Sequence, residues 1–589
     1  MPTLNWIGKE KVINHHRDVP FKILEHTYGF DNGKQIKEET KSGNKIIHGD
    51  NLEALKALLP EFEGVVDIAY IDPPYNTGKE KWVYTDNLNH PKITKWLNDV
   101  VGKEGEDLSR HDKWLCMMYP RLKLIHKLLK KDGVFFCSID DYEHGNLRPI
   151  LDEIFGSMNF LNNVIWQRAF SPINTKKRFS PNHDFIIAYA KNKNLVELKL
   201  PRNDNADDRY SNPDNDPRGI WTSSDLTVGP VIESKLYTIV TPNGNRFIPP
   251  LGRCWVVTEN RYFEMLKENR IWFGENGSNM PRSKRFLDDV KDGITPMTVW
   301  TYDEVGHTQD AKKEIKELFP NSKLPFETPK PTSLMEKILS LKNDPNSIVL
   351  DSFAGTASTG HAVLNLNKKD GGNRKFILVE LEDYAEEITA ERIKKVIKGY
   401  DFIGNKRTEL ASYSINITNL KKADKIIELY NTYNEDEKYS EVTIESKYGN
   451  IIITGTEKIN GKIDGIKGSF DFYELGKSLF VGDNSEFLNE EVEIEKIREY
   501  IWYSETRSPY KQASNKKDWQ YLLGRKEDTA IYFIYEKESV TTIDYDSLSN
   551  IMTKAGQYIL YADNCLLPKN FMLKNNITFK KIPRDVTRF

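Results

Sequence analysis

The run Asp72-Pro73-Pro74-Tyr75-Asn76-Thr77-Gly78 places a carboxylate, a kinked backbone and an aromatic face within seven consecutive residues. That combination suits chemistry on a planar amine, which needs acceptors for its N–H bonds and a flat surface for its ring. Asp followed by Pro-Pro is also an ordinary turn, although turn chemistry accounts for the prolines and leaves Tyr75 unexplained. The preceding residues 65–71, Val-Val-Asp-Ile-Ala-Tyr-Ile, read as a buried strand, and two prolines cannot continue its ladder. The chain must therefore turn at Asp72, just past a strand's carboxyl end, where open α/β sheets bind their ligands.

A second signal lies far downstream. Residues 347–361, Ser-Ile-Val-Leu-Asp-Ser-Phe-Ala-Gly-Thr-Ala-Ser-Thr-Gly-His, form an apolar strand, a small-residue loop and the start of a helical pattern. Such loops let backbone amides approach a nucleotide-like ligand closely. The strand 375–379 then ends in Glu380, about 25 residues past Gly355, roughly where dinucleotide folds place an acid against ribose hydroxyls. Gly355 and Gly360 have the separation of a phosphate-binding P-loop, but His361 and Ala362 stand where that loop needs Lys and Ser/Thr. The loop is therefore read as serving a nucleoside cofactor without a polyphosphate.

The elements that must position these residues alternate. A short strand at 45–48, a helix at 51–59, the strand before Asp72, a helix at 114–131 and a strand at 134–139 predict a doubly wound α/β fold with a mostly parallel sheet. The pattern resumes near 326 and runs to about 400, so one domain, 1–165 and 326–400, is expected to be built from two segments. Between them, 166–325 is broken into short β-like runs by Asn-, Pro- and Gly-rich turns, and an insert of about 160 residues is too long for a loop. Residues 401–589 are strand-rich and then mixed, which predicts a C-terminal α+β domain with a docking or dimerisation role. Near the Asp72 loop, Trp82, Trp96, His111, Trp114 and Tyr119 read mostly as packing residues, and Asp140 and Asp141 as either a turn or part of a pocket wall.

The 589-residue chain is too long for one core. Its four cysteines, Cys116, Cys137, Cys254 and Cys565, form no Cys-x-x-Cys pair, so neither a zinc site nor a disulfide framework is supported. With no apolar run near the ~20 residues of a membrane span and no secretory h-region, a soluble, unprocessed cytoplasmic protein is expected. A net charge of −3 does not exclude nucleic acid, because a local basic stripe matters more than the sum. Lys176, Lys177 and Arg178, with Arg282, Lys284 and Arg285, could supply one, or could be solvated loops.

Taken together these motifs resemble the β-class amino-methyltransferases that use S-adenosylmethionine, and among them the Mod subunits of type III restriction-modification systems. The order matters as much as the motifs: Asp-Pro-Pro-Tyr precedes Phe353-Ala354-Gly355, with a long insert between them. Lys330-Pro331-Thr332, His48-Gly49-Asp50-Asn51, Asn5-Trp6-Ile7-Gly8-Lys9 and Asp383-Tyr384-Ala385 also fit, so the likeness spans most of residues 1–400. It implies a Rossmann-like methyltransferase of permuted motif order, with 166–325 as a target-recognition domain. It further implies methylation of adenine N6, or of cytosine N4 as the nearest rival, in duplex DNA with the target base flipped out. Asp72, Pro73, Pro74 and Tyr75 would be catalytic. Asp50, Lys330, Asp351, Phe353, Gly355 and Glu380 would line the S-adenosylmethionine pocket. No metal is required, because a sulfonium is already activated. Homodimerisation and a helicase-nuclease Res partner are implied as well. One departure stands out: the family's second loop glycine is Ala357, and a positive φ there would cost an alanine on the order of 1 kcal/mol. That departure supports a different reading, a DNA-recognition scaffold for a restriction partner with weak methyltransferase activity.

Overall fold

The computed structural model describes all residues except 1–2, 78–109, 173–176, 203–208, 291–292, 321–327, 416–418, 420, 422, 448–449, 482–486, 512–517 and 587–589. The chain divides into two compact units, one made of 1–197, 297–403 and 460–589, the other of 198–296 and 404–459. The first unit is built on an eleven-stranded sheet. Its strands are β1 (Lys22–Asp31), β2 (Lys34–Ile36), β3 (Lys45–His48), β4 (Val66–Ile71), β5 (Leu129–Ile139), β6 (Phe160–Gln167), β7 (His183–Ala190), β8 (Val299–Trp300), β9 (Ile348–Asp351), β10 (Lys375–Glu380) and β11 (Ser469–Ser478). In space they run β8-β6-β7-β5-β4-β9-β10-β3-β11-β1-β2. The centre, β5-β4-β9-β10-β3-β11, is parallel, as the apolar runs of these strands predict. Antiparallel pairings flank it on both sides.

The helices that bear on the site are α1 (Asn51–Ala57), α2 (Arg110–Leu128), α3 (Asp141–Leu151), α4 (Thr308–Leu318), α5 (Thr332–Ser340), α6 (Ser358–Asp370) and α7 (Glu391–Lys398). From β4 the chain crosses through α2 to β5 on one side, while from β9 it crosses through α6 to β10 on the other. Adjacent parallel strands whose connections leave in opposite directions open a crevice between their carboxyl ends. Asp72 and Ser352 are the first residues past those two strands, which pair through Asp351 and Tyr70.

Sheet membership departs from the sequence boundaries at the two-residue β8, expected in the insert but paired parallel with β6, and in two longer strands. Residues 183–190, expected in the insert, form β7 and pair antiparallel with both β5 and β6. Residues 469–478, expected in a C-terminal domain, form β11 between β3 and β1. In both, consecutive buried residues (Ile186 to Ala190, and Phe470 to Tyr473) fit a strand covered on two faces, and such runs carry no label for the sheet they join. The C-terminal end does carry a small sheet of its own, in the order Leu522–Lys526, Thr529–Phe533, Gln557–Ala562 and Ile577–Lys581. Within the second unit, 198–296 packs short strands and the helix Glu259–Lys267 around Leu226, Ile239, Trp255, Tyr262, Ile271 and Phe273. Residues 404–459 have a separate cluster around Ile426, Val442 and Ile453. Among the described residues no helix is long and apolar enough to cross a membrane.

Candidate active site

Asp72 leaves β4 into a turn that two side-chain contacts and one left-handed residue fix. Trp114 Nε1 donates to the Pro74 carbonyl at 2.7 Å. Asn76 adopts a left-handed conformation with φ 63°, which Asn tolerates better than most residues. Its side-chain amide donates to the carboxylate of Glu143, a fully buried residue of α3 that also accepts from His111 Nδ1 at 2.6 Å and Asn146 Nδ2 at 2.8 Å. The turn is thereby tied to α2 and α3 as well as to its own strand.

At the mouth of the crevice Lys330 Nζ donates to Asp72 Oδ2 at 2.6 Å. Asp72 Oδ1, the Tyr75 hydroxyl and Ser352 Oγ are buried with no hydrogen-bond partner among the described residues. Buried polar atoms are rarely left unpaired, so three of them at a switch point make it a candidate for ligand binding. Burial raises the pKa of the Tyr75 hydroxyl well above 10, and the charge of Asp72 adds to the shift. Tyr75 is therefore a neutral face at ordinary pH. Asp184 on β7 is also buried; burial raises its pKa, while its partner Arg168 at 2.8 Å and then Lys330 oppose the rise.

The loop after β9 closes on β10. Ala354 N donates to the Val379 carbonyl at 3.0 Å and Gly355 N to Glu380 Oε2 at 2.7 Å, while Glu380 Oε1 accepts from Glu382 N at 3.0 Å. Glu380 is thus a buried shaping group for the loop expected to hold a cofactor. Gly360 lets α6 sit against the sheet, since a Cβ there would come within 2.9 Å of Leu378 Cδ1. Phe353, nearly buried, walls the crevice, and Asp50, which caps α1 through Leu52 N at 2.8 Å, is bridged by Arg121 to Asn51. Asn51 in turn donates to the Ser352 carbonyl at 2.8 Å. A loop of close backbone amides, an aromatic wall and carboxylates is a donor set that fits a nucleoside carrying an amino-acid end.

Ala357 has φ 61° and ψ 35°, so the positive φ that the sequence comparison raised is present. Left-handed backbone costs an alanine about 1–2 kcal/mol; glycine would relieve that, lose a buried methyl worth about 0.8 kcal/mol and cost about 0.5–1 kcal/mol in chain entropy. Ala357→Gly is accordingly expected to change the unfolding free energy by less than about 1 kcal/mol, read by urea titration. A larger gain would show that strain dominates at this position.

Asp351, at the end of β9, accepts from Phe353 N at 3.1 Å and from Thr359 Oγ1 at 2.6 Å. Burial nonetheless pushes its carboxyl up to about 7 from an ordinary 3.8. Between those values the folded state holds a proton that the unfolded state has lost, so stability from this group is fully present below about 3.8 and is lost as pH rises through about 7. Asp351→Asn should flatten this part of the pH dependence. The gap between variant and wild type should change by about 2 kcal/mol between pH 5.5 and 7.5 in urea unfolding, in favour of the variant at the higher pH. A constant gap would remove Asp351 as a titrating group.

Several site residues escaped the sequence reading. Arg392 on α7, fully buried, donates to the Thr356 carbonyl at 3.3 Å, to the hydroxyls of Thr356 and Ser358 at 3.1 Å and of Thr332 at 2.9 Å, and to Glu314 at 3.3 Å. It joins the loop after β9 to the Lys330 segment, and its only sequence signal is a cation on the apolar stripe Ile393, Val396 and Ile397. Asp184, Asn76 and Glu143 had no signal beyond their residue types. Asp140 proves to be the cap of α3, accepting from Tyr142 N at 2.9 Å, so the turn reading holds for it.

The basic clusters behave unevenly. Lys176, like Gly78, Trp82 and Trp96, lies outside the described residues; Lys177 and Arg178 are exposed in the first unit. In the second unit, strand Arg282–Phe286 puts Arg282 and Arg285 outward but turns Lys284 into the core. Lys284 is a correction to the expected nucleic-acid contacts: its ammonium is buried against Asp214 and, at 3.1 Å, Asp216, because strand alternation places 284 and 286 on the same inner face.

Comparison with known proteins bears on the same region. Residues 66–391 match the DNA methylase family. The Mod subunit of the type III restriction-modification enzyme StyLTI of Salmonella typhimurium is 35% identical over 388 residues, 61% of this chain and 58% of the relative. The EcoP15I Mod subunit of Escherichia coli is 31% identical over 457 residues, 68% of this chain and 67% of the relative. The type II methyltransferase M.KpnI of Klebsiella pneumoniae is 30% identical over 377 residues, 61% of this chain and 85% of the relative. The chain therefore spans between somewhat over half and two thirds of the Mod subunits it matches.

Proposed function

The chain is a member of the DNA methylase family, and from that premise we propose that it is a site-specific DNA methyltransferase acting on adenine N6 in duplex DNA. We place it as the modification and recognition subunit of a type III restriction-modification system, as its similarity to two Mod subunits suggests. The observation that carries the reading is the meeting of two motifs at one switch point. The Asp72 turn and the Phe353–Gly355 loop leave neighbouring strands, and Asp72 Oδ1 has no hydrogen-bond partner among the described residues.

S-adenosylmethionine, when bound, supplies a methyl group that its sulfonium sulfur releases while keeping the bonding electron pair. Phe353 and the Gly355 loop would wall it, Asp50 and Asp351 would meet its amino-acid end, and Glu380 would approach its ribose hydroxyls while shaping the loop. Adenine N6 is a weak nucleophile because its lone pair is delocalised into the ring. Asp72 Oδ1 and the Pro73 carbonyl would each accept one N–H, holding the amine still and favouring its pyramidal, nucleophilic form. The N–H proton that becomes acidic on methylation would leave along the same bond to Asp72 and on to water. Tyr75, neutral at working pH, would stack on the flipped base, a contact worth about 1–3 kcal/mol.

Residues 198–296 would read the target sequence, and Lys177, Arg178, Arg282 and Arg285 would contact phosphates. A second copy of the chain and a helicase-nuclease Res subunit are its proposed partners, in the cytoplasm. Labelled-methyl transfer to duplex DNA by the purified chain, with methylation-sensitive long-read sequencing of DNA from expressing cells, tests the whole reading. N6-methyladenine at one recurring sequence is expected. N4-methylcytosine would overturn the base assignment, and no transfer would overturn the activity.

A further inference from the structure

Lys330 was placed by family likeness among the residues lining the cofactor pocket, and in the structure its ammonium meets Asp72. It lies 2.6 Å from Asp72 Oδ2, 5.1 Å from the centroid of the Tyr75 ring and 5.8 Å from that of Trp166. Its side chain is only 6% exposed. Pro329 and Pro331 flank it, fixing φ on either side, and its carbonyl accepts from Ser358 Oγ at 2.9 Å, so its backbone is tied to the start of α6. The side chain is therefore delivered by a stiff segment into a slot between two aromatic faces, with the amine-binding carboxylate at its end.

The surroundings explain why a cation is needed there. Asp72 stands among Asp351 of β9 and Asp184 of β7, and the charge of Asp72 raises both of their pKa values while Lys330 lowers both. Tyr70, Tyr75 and Cys137 also face Asp72, and its charge raises all three. Of the carboxylates in this group, Asp184 has Arg168 and Asp351 has two neutral donors; the ion pair of Asp72 is with Lys330. A half-buried carboxylate among like charges, without that ammonium, would rotate toward another donor.

Resting on the methyltransferase reading above, we propose that Lys330 is a positioning residue for the amine acceptor. It holds Asp72 by Oδ2, so that Oδ1, buried and without a partner among the described residues, is the oxygen presented to the target amino group. The role belongs to the base side of the crevice and not to cofactor binding. A point charge with one short bond fixes the carboxylate plane, and misplacing an acceptor by about 1 Å costs on the order of 10²-fold in rate.

The test compares Lys330→Met and Lys330→Arg in the full chain, with single-turnover transfer of labelled methyl to duplex DNA and S-adenosylmethionine affinity by calorimetry. Lys330→Met is expected to lower the single-turnover rate at saturating cofactor about 10²-fold while cofactor affinity stays within about threefold. Lys330→Arg is expected to recover most of the rate, because a guanidinium still brings charge and a donor to Oδ2. If Met at 330 does not fold, Lys330→Gln, which keeps a donor and loses the charge, takes its place with the same expected loss. An unchanged rate in the neutral variant overturns the proposal. So does a loss of cofactor affinity with the saturated rate intact, or a failure of arginine to restore activity. A wild-type chain inactive on DNA overturns the methyltransferase reading itself; an active wild type with an indifferent Lys330→Met overturns this inference alone.

Discussion

Asp72→Ala is expected to slow methyl transfer in a single turnover by about 10²–10³-fold, while S-adenosylmethionine still binds. The magnitude follows from what the carboxylate does. One preorganised acceptor of a developing positive charge on nitrogen is removed, in a crevice where burial makes such interactions stronger than in water. The Pro73 carbonyl remains and can hold one N–H, so a residual rate should survive. The cofactor should be indifferent, because the groups around its loop (Gly355 on Glu380, Phe353 on Asp351) make no use of Asp72. Lys330 would be left as a buried ammonium with its ion-pair partner gone, so the variant should also lose stability, and calorimetric cofactor binding guards against reading unfolding as lost chemistry. Asp72→Asn keeps the shape and one acceptor oxygen, and should fall between wild type and alanine. Near-native transfer by a cofactor-competent Asp72→Ala would refute the role of this carboxylate.

Legibility in the sequence followed distance along the chain. The Asp72 turn and the Phe353–Gly355 loop were readable because a strand, a breaker and a special backbone lie within about ten residues of one another. Their meeting in space needed the order of β4 and β9 in the sheet, which the alternation of strands and helices predicted only as a class. Lys330 and Asp72 are 258 residues apart, and nothing local marks a lysine between two prolines as the partner of a distant carboxylate. The displaced strands β7 and β11 show the same limit: a short apolar run announces a buried strand and is silent about its neighbours. Lys284 failed for a different reason. A basic cluster was read as composition, whereas strand alternation sends one member inward, where Asp214 and Asp216 neutralise it. Ala357 was readable as a departure, and only its dihedral angles showed that the positive φ is there.

Arg392→Met is expected to loosen the loop after β9 by about 2–4 kcal/mol, seen as amide exchange of residues 353–360 faster by roughly 30–1,000-fold. The side chain is fully buried, and burial pulls its pKa down while the charge of Glu314 opposes the fall, so the buried charge is met by many surrounding acceptors. Those acceptors belong to separate elements: Thr356 and Ser358 to the loop and α6, Thr332 to the start of α5, Glu314 to α4, and His361 Nδ1 at 3.2 Å to α6. Methionine would fill most of the volume and relieve the desolvation of the guanidinium, which sets the lower end of the range. It would leave the Thr356 carbonyl without this donor and Glu314 without its ion-pair partner, which sets the upper end. Because Thr356 sits between Gly355 and Ala357, a loosened loop should also weaken S-adenosylmethionine binding, with the saturated rate much less affected. Arg392→Lys should recover less than half of the protection, since one ammonium cannot span acceptors on α4, α5 and α6 as a planar fork does. Unchanged exchange in Arg392→Met would show that the loop is held by Glu380 and Thr389, which bond Gly355 at 2.7 and 2.6 Å, without help from Arg392.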